Sequence, residues 1–318
     1  ENAMLISAPR DGTYDRTFSP KALRQYIDFR RDEPKISRPV MFQEIFFFLA
    51  PADAFGASNL TWRWSDPAKW DSVWNYSPST RRVRRSTAAN RSDSILGTEV
   101  AQDDGTPAYN GKIEMMDWKY IGQQDVLMPF TRRWGQAADD FTARPAYDAV
   151  HSTVDAYSNV PGSFQQDYKQ MTFGFQQEPQ KYASWFVPDL LWVPVPVYLV
   201  EATPKDPYYN VGKQIYYIER HSSTPSWKVV YNRAGEQWRT NVLVVEFPRF
   251  KDPQKGQEIV CMDGVFGIFA DDKVNRGAVG ADTGGNLTGN PHGGPTVHYN
   301  TGLGGDAFDL SRFLQYGK

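Results

Sequence analysis

A mainly antiparallel β fold is what this sequence predicts, and three features carry that expectation. Aromatic residues, which suit a pleated and half-buried surface, are abundant: 10 Trp, 17 Tyr and 19 Phe. The chain is punctuated by 22 Pro and 25 Gly, residues that set turns. Between those breaks, apolar residues recur at every second position over short segments. At 318 residues the chain can bury a large core, and β proteins of this length often form one unit.

Taken in order, the first element is an exception. Ser19-Pro20 followed by Leu23, Tyr26, Ile27 and Arg30 predicts a helix, with Ser19 as N-cap, Pro20 as first helical residue and a stop before Pro34. Strands dominate from Val40 onward. Val40–Leu49 is long and apolar and ends at Ala50-Pro51. Asn59–Trp64, Trp70–Tyr76 and Arg81–Arg85 then form a meander, broken by Ser65-Asp66-Pro67-Ala68 and Ser77-Pro78-Ser79-Thr80. Thr131–Glu178 reads as loops with a short helix. Leu191–Ala202 is a strand that Pro194 and Pro196 place at an edge or distort. A second meander runs through Gln214–Arg220, Ser226–Asn232 and Gln237–Phe247. Gly277–Gly305 is too polar for a core and reads as a long loop or arm. Asp306–Tyr316 closes with a short helix carrying Phe308, Leu310, Phe313 and Leu314.

Several function classes drop out. A net charge of −2 gives no global electrostatic case for nucleic acid. The strongest apolar run, Ile45–Ala50, is strand-length and far short of the ~20 residues of a transmembrane helix. The N-terminus carries no signal-peptide pattern. One cysteine, Cys261, excludes an internal disulfide and multi-cysteine metal sites, and reads as a buried thiol. Histidines 151, 221, 292 and 298 are scattered and lack zinc-protease spacing. Asp282-Thr283-Gly284 is a lone aspartic-protease triplet, whose chemistry needs two. Asp263, Asp271 and Asp272 lack calcium-loop spacing and read as solvated turn carboxylates. No Walker loop, nucleophile elbow or dinucleotide fingerprint is present. These features point away from an enzyme, a metal or a cofactor.

Two clusters stand out. Period 2 puts Trp70, Trp74 and Tyr76 on one face of a strand, and Trp62 and Trp64 on one face of its neighbour. They are either the wall of a ligand cavity or ordinary core. Arg81, Arg82, Arg84 and Arg85, with Arg91 beyond, cannot all share one solvated face. They form either a clamp for an anionic group or partner, or structural ion pairs with Glu99, Asp103 and Asp104, or they lie at an exposed edge.

The run Val73-Trp74-Asn75-Tyr76-Ser77-Pro78-Ser79-Thr80-Arg81-Arg82-Val83-Arg84-Arg85 resembles a hallmark of the DUF1329 family, bacterial envelope proteins similar to the outer-membrane lipoprotein carriers LolA and LolB. Asp117-Trp118-Lys119-Tyr120-Ile121-Gly122, Val200-Glu201-Ala202-Thr203-Pro204-Lys205 and Tyr231-Asn232-Arg233-Ala234-Gly235-Glu236 follow in the same order. The resemblance covers roughly residues 40–250. It implies a curved antiparallel half-barrel with helices covering its concave side, and a periplasmic setting, possessed of a leader that is removed. The domain reading is then an arm and helix over 1–39, the half-barrel over 40–250, and an extension with a Gly-rich loop and short helix over 251–318, all in one structural domain. The resemblance also implies an apolar cavity, an RND-type exporter and an outer-membrane partner protein as neighbours. The expected function is a carrier or chaperone for a lipid or other hydrophobic compound, with Trp62, Trp64, Trp70, Trp74, Tyr76 and Trp118 as ligand-binding residues. A non-catalytic accessory subunit of an envelope assembly is the alternative.

Overall fold

The computed structural model describes residues 3–11, 15–28, 39–105, 108–130, 183, 185, 191–220, 223–246, 249–251, 258–260, 263–282, 305–313 and 315. The expectations for Thr131–Glu178, Cys261, the four histidines and Thr283-Gly284 lie outside them.

Fifteen strands are present among the described residues: β1 Ala3–Pro9, β2 Arg16–Tyr26, β3 Val40–Ala50, β4 Ser58–Trp64, β5 Ser72–Ser77, β6 Arg82–Ser86, β7 Met116–Phe130, β8 Leu191–Pro204, β9 Val211–Glu219, β10 Pro225–Asn232, β11 Gln237–Glu246, β12 Arg249–Lys251, β13 Glu258–Val260, β14 Asp263–Asp271 and β15 Arg276–Asp282. Thirteen form one antiparallel sheet in the order β6-β5-β4-β3-β2-β1-β15-β14-β11-β10-β9-β8-β7, and β12 and β13 pair separately. Both expected meanders are there, as β4 to β6 and β9 to β11.

The two chain ends depart from expectation. Residues 1–39 supply β1 and β2, and 251–318 supplies β14 and β15, so both sit in the middle of the sheet rather than beside it. The expected helix from Ser19 is strand β2. Its helical spacing loses to pairing on both flanks, with β1 through Leu5↔Phe18 and with β3 through Tyr26↔Phe42. Pro20 is accommodated at a register shift. Gly277–Asp282, expected as loop, is strand β15 with its small residues in the core: Ala278 and Val279 are buried, and Gly280 leaves room for Leu5 and Phe269. Pro194 and Pro196 lie where β8 has β7 on one side but has not yet begun its pairing with β9 at Val197, so they are locally at an edge.

The sheet is strongly curled. Arg63 on β4 donates to Asn110 O at 2.6 Å, and Lys228 on β10 donates to Ala108 O at 2.7 Å. Seven strand steps separate β4 from β10, roughly 34 Å in a flat sheet. Two residues of chain span about 7 Å, so both strands can reach neighbouring carbonyls only if the sheet wraps around them.

What it wraps around is the segment 87–115. Helices over the concave side are not seen among the described residues; the cover is a series of short 3₁₀ turns at Ala88–Ser92, Ile95–Gly97, Gln102–Asp104 and Ile113–Met115. Its Ser, Thr, Asn, Asp and Gly residues favour local side-chain to backbone bonds over a continuous helix. Ile95, Val100, Ala108 and Tyr109 pack with Leu5, Phe18, Phe48, Tyr216, Leu243 and Phe269 in the inner core. The opposite, convex face of β3 to β5 is covered by the C-terminal segment, a 3₁₀ turn at Gly305–Phe308 and helix α1 at Leu310–Phe313. Phe308 and Phe313 are 0% exposed there, against Ile45, Leu60 and Tyr76.

Candidate functional site

Alternation along β3 separates the two faces. Phe46 and Phe48 belong to the inner core, Ile45 and Phe47 to the outer one. The same rule places Leu60, Trp62, Trp74 and Tyr76 with the outer core. The aromatic stripe therefore shares a face, as its period predicts, but that face is convex and lies under the C-terminal segment. Trp62 Nε1 donates to Phe308 O at 3.1 Å and its ring meets Trp74 edge-on at 4.7 Å. Trp64 donates to the Ser72 hydroxyl at 3.0 Å, with the Lys69 ammonium over its ring. Trp70 is apart from them, in the loop before β5, beside Asp71 and Arg91. Period 2 groups residues without saying which face is concave, and that is where the cavity-wall expectation for this stripe departs from the structure.

Trp118 is on the concave side. It pairs in register with Ala202, and its ring meets Tyr109 and Tyr216, both at 5.6 Å. Trp118 Nε1 donates to Ile113 O at 2.6 Å, tying it to the end of the plug segment. Tyr120, two residues on, pairs with Val200, and Tyr198 pairs with Ile218, so both continue this face. Their rings meet edge-on at 6.0 Å, and the Arg220 guanidinium stands 5.5 Å over Tyr198. Trp118, Tyr120 and Tyr198 are 39%, 60% and 38% exposed. Beyond Tyr120 the pairing shifts by one residue, with Gly122 at φ +150°, a conformation open to glycine, supplying the bulge. The far end of β7 then folds back over the convex face, where Trp227 Nε1 donates to Leu127 O at 2.8 Å. The result is an aromatic shelf on β7 to β9, next to the plug and not under it.

The plug is held by buried ions. Arg91 pairs with Asp103 at 2.6 Å and Asp71 at 3.4 Å, and Arg63 pairs with Asp71 at 2.8 Å. Lys228, 1% exposed, pairs with Asp104. Asn241 also donates to Asp104, at 2.8 Å. Glu99 accepts from Arg276 at 2.8 Å and from Ser7 at 2.7 Å. Burial pushes Asp103 upward against the pull of Arg91 and Lys228. Burial also raises the Tyr109 and Tyr216 phenols, with the Asp103 carboxylate adding to it. A cleft lined by Trp70, Asp71, Arg91, Asp103, Lys112 and Tyr209 narrows to about 10 Å³ of free space, room for roughly one water. Asp271, expected in a solvated turn, is buried and accepts from Arg239 at 3.2 Å and Trp238 at 2.9 Å.

Of the arginine cluster, Arg91 makes the expected ion pair, with Asp103, whereas Glu99 and Asp104 are engaged with Arg276 and Lys228 and not with Arg81, Arg82, Arg84 or Arg85. Arg81, Arg82, Arg84 and Arg85 are all exposed on or beside edge strand β6. The sequence reading missed Tyr109, Tyr120, Tyr198 and Lys228. The alternation of Trp118 with Tyr120 was a usable signal, and so was a lysine inside Trp227-Lys228-Val229-Val230-Tyr231. Among the described residues no group of three or more His, Cys, Asp or Glu is placed to hold a metal, and no helix is long and apolar enough to cross a membrane.

The family described as "Protein of unknown function (DUF1329)" matches residues 3–267. A domain of Vibrio parahaemolyticus classed as an outer membrane lipoprotein-sorting protein is similar in structure, with a TM-score of 0.55, 13% identity, and coverage of 98% of this chain and 89% of that one. A DUF1329 family protein from Desulfovibrio piger gives a TM-score of 0.54, 14% identity and the coverage 98% and 89%. At these identities the likeness is one of fold. No curated protein matches the chain.

Proposed function

The chain belongs to the DUF1329 family, and from that premise we propose that it is a periplasmic carrier or chaperone, which shelters a lipid or other hydrophobic compound during outer-membrane-directed transport. The observation that carries this reading is the exposed aromatic shelf of Trp118, Tyr120 and Tyr198 on the concave side of β7 to β9. Three large rings beside a plugged interior can take an acyl chain or a flat apolar body, with Arg220 at one side for a polar end. Covering ~300 Å² of ligand is worth about 7 kcal/mol before ordering costs, which suits a protein that must also release. The lipoprotein-sorting relative of the same fold supports the setting. The role read here is non-catalytic, and it is supported by Arg91 and Asp103, whose proton affinities are shifted, being paired with each other inside the plug.

Native mass spectrometry of the protein from its own host, with lipid analysis of a solvent extract, tests the proposal. A stoichiometric hydrophobic molecule that is lost on Trp118→Ser with Tyr120→Ser is the expected result. A clean apo mass with no uptake of added lipids or fluorescent hydrophobic probes sinks it. That outcome favours the second reading, an accessory subunit of an envelope assembly, for which the packing of the plug into the concave interior speaks.

A further inference from the structure

Edge strand β6 and the turn before it carry four cations that form no ion pair among the described residues. Arg81 sits in the turn before it at φ +51°, and Arg82, Arg84 and Arg85 lie on the strand. All four are exposed, and among the described residues none is in an ion pair; Arg85 makes a long bond of 3.4 Å to the Ser72 hydroxyl. Register sends them both ways. Arg82 and Arg84 stand opposite Ser77 and Asn75, on the concave side, whereas Arg85 stands opposite Trp74, on the convex side. A single anion in a pocket on either face could meet only some of them. A broad anionic surface approached edge-on meets all four.

A second observation points the same way. Trp74 is half-buried next to Arg85, and Trp62 and Trp64 continue the half-buried row along β4. Indoles with an apolar body and a wet rim, next to arginines, suit the headgroup zone of a bilayer. We propose that the β6 edge docks the protein on an anionic phospholipid surface, with the arginines at the phosphates and Trp74 at the headgroup level. The inference stands apart from the carrier reading, since it uses the opposite edge of the sheet from the aromatic shelf.

Vesicle flotation tests it, with phosphatidylcholine vesicles against vesicles containing 30% phosphatidylglycerol as ~30 mol% anionic surface. Each arginine near the surface is worth about fivefold in partitioning. Arg82→Gln with Arg84→Gln should weaken binding to the anionic vesicles about 25-fold, and the quadruple Gln variant should abolish it. Lys at all four positions should restore it, and raised salt should weaken the wild type. Circular dichroism and hydrophobic-probe uptake unchanged in these variants separate the docking edge from the shelf. Equal binding to neutral and anionic vesicles, or anionic binding indifferent to the quadruple change, overturns the proposal. So does a wild type that ignores both vesicles but binds poly-glutamate, which would assign the edge to an acidic protein.

Discussion

Removing Asp104 should destabilise the protein far more than removing its partner Lys228. Asp104 accepts three bonds: from Lys228, from Asn241 at 2.8 Å and from the Ala101 amide at 2.7 Å. Asp104→Ala strips the buried ammonium of its counter-ion and leaves it Ala108 O at 2.7 Å. An uncompensated buried charge costs about 3–5 kcal/mol. Lys228→Met leaves the carboxylate with two good donors, and about 1–3 kcal/mol is expected. At about 2 °C per kcal/mol for a long chain, Asp104→Ala should lower Tm by roughly 6–10 °C. Asp104→Asn with Lys228→Met removes both charges while keeping an acceptor for Asn241 and the Ala101 amide, and should recover most of the loss. Urea unfolding followed by circular dichroism and tryptophan emission measures all three. The reasoning fails if Asp104→Ala lies within ~1 kcal/mol of wild type, or if Lys228→Met proves the costlier change.

Two further outcomes follow from packing and titration. Phe313→Ala empties a fully buried site on the convex face and should cost about 3–5 kcal/mol, with tryptophan emission shifting to the red as Trp62 and Trp74 lose their cover; a stable variant with unchanged emission would show that α1 does not hold this face. Tyr109 and Tyr216 have folded-state affinities for protons above their unfolded ones, so the stability they contribute is intact below the ordinary phenol range near ~10 and is lost as pH climbs above it. Tyrosinate absorbance at alkaline pH should therefore show these two ionising only together with loss of near-ultraviolet circular dichroism, and free titration in the folded protein would contradict their burial.

The β class and both meanders were legible because period 2 needs no knowledge of neighbours. Arg82 to Arg85 and Trp227 to Tyr231 fall on strands as their alternation requires. Residues Ser19–Tyr26 and Gly277–Asp282 were misjudged because their strand character is conferred by the strands they pair with and not by their own pattern. Pro20 with Leu23 and Tyr26 imitates a capped helix, and Gly277-Ala278-Val279-Gly280 looks like loop until Leu5 and Phe269 need the space. For the site, Trp118 was reached only through the family-like run Asp117 to Gly122, and the structure puts it on strand β7. The exclusion of Trp62 and Trp74 from the concave side was not legible, because the local pattern is identical for either face and only the position of Phe308 and Phe313 decides it.

The middle position of β1 and β15 has a consequence for how the chain is made. β1 pairs locally with β2, but it meets its other neighbour, β15, through Ala3↔Asp282 and Pro9↔Arg276, so that seam closes only when residues 276–282 are in place. Until then β1 to β6 and β7 to β11 are two separate leaves, each with a raw inner margin able to bind the wrong strand. Such late closure slows folding. It makes the pairing of residues 276–282 with β1 the step that joins the two leaves into one sheet.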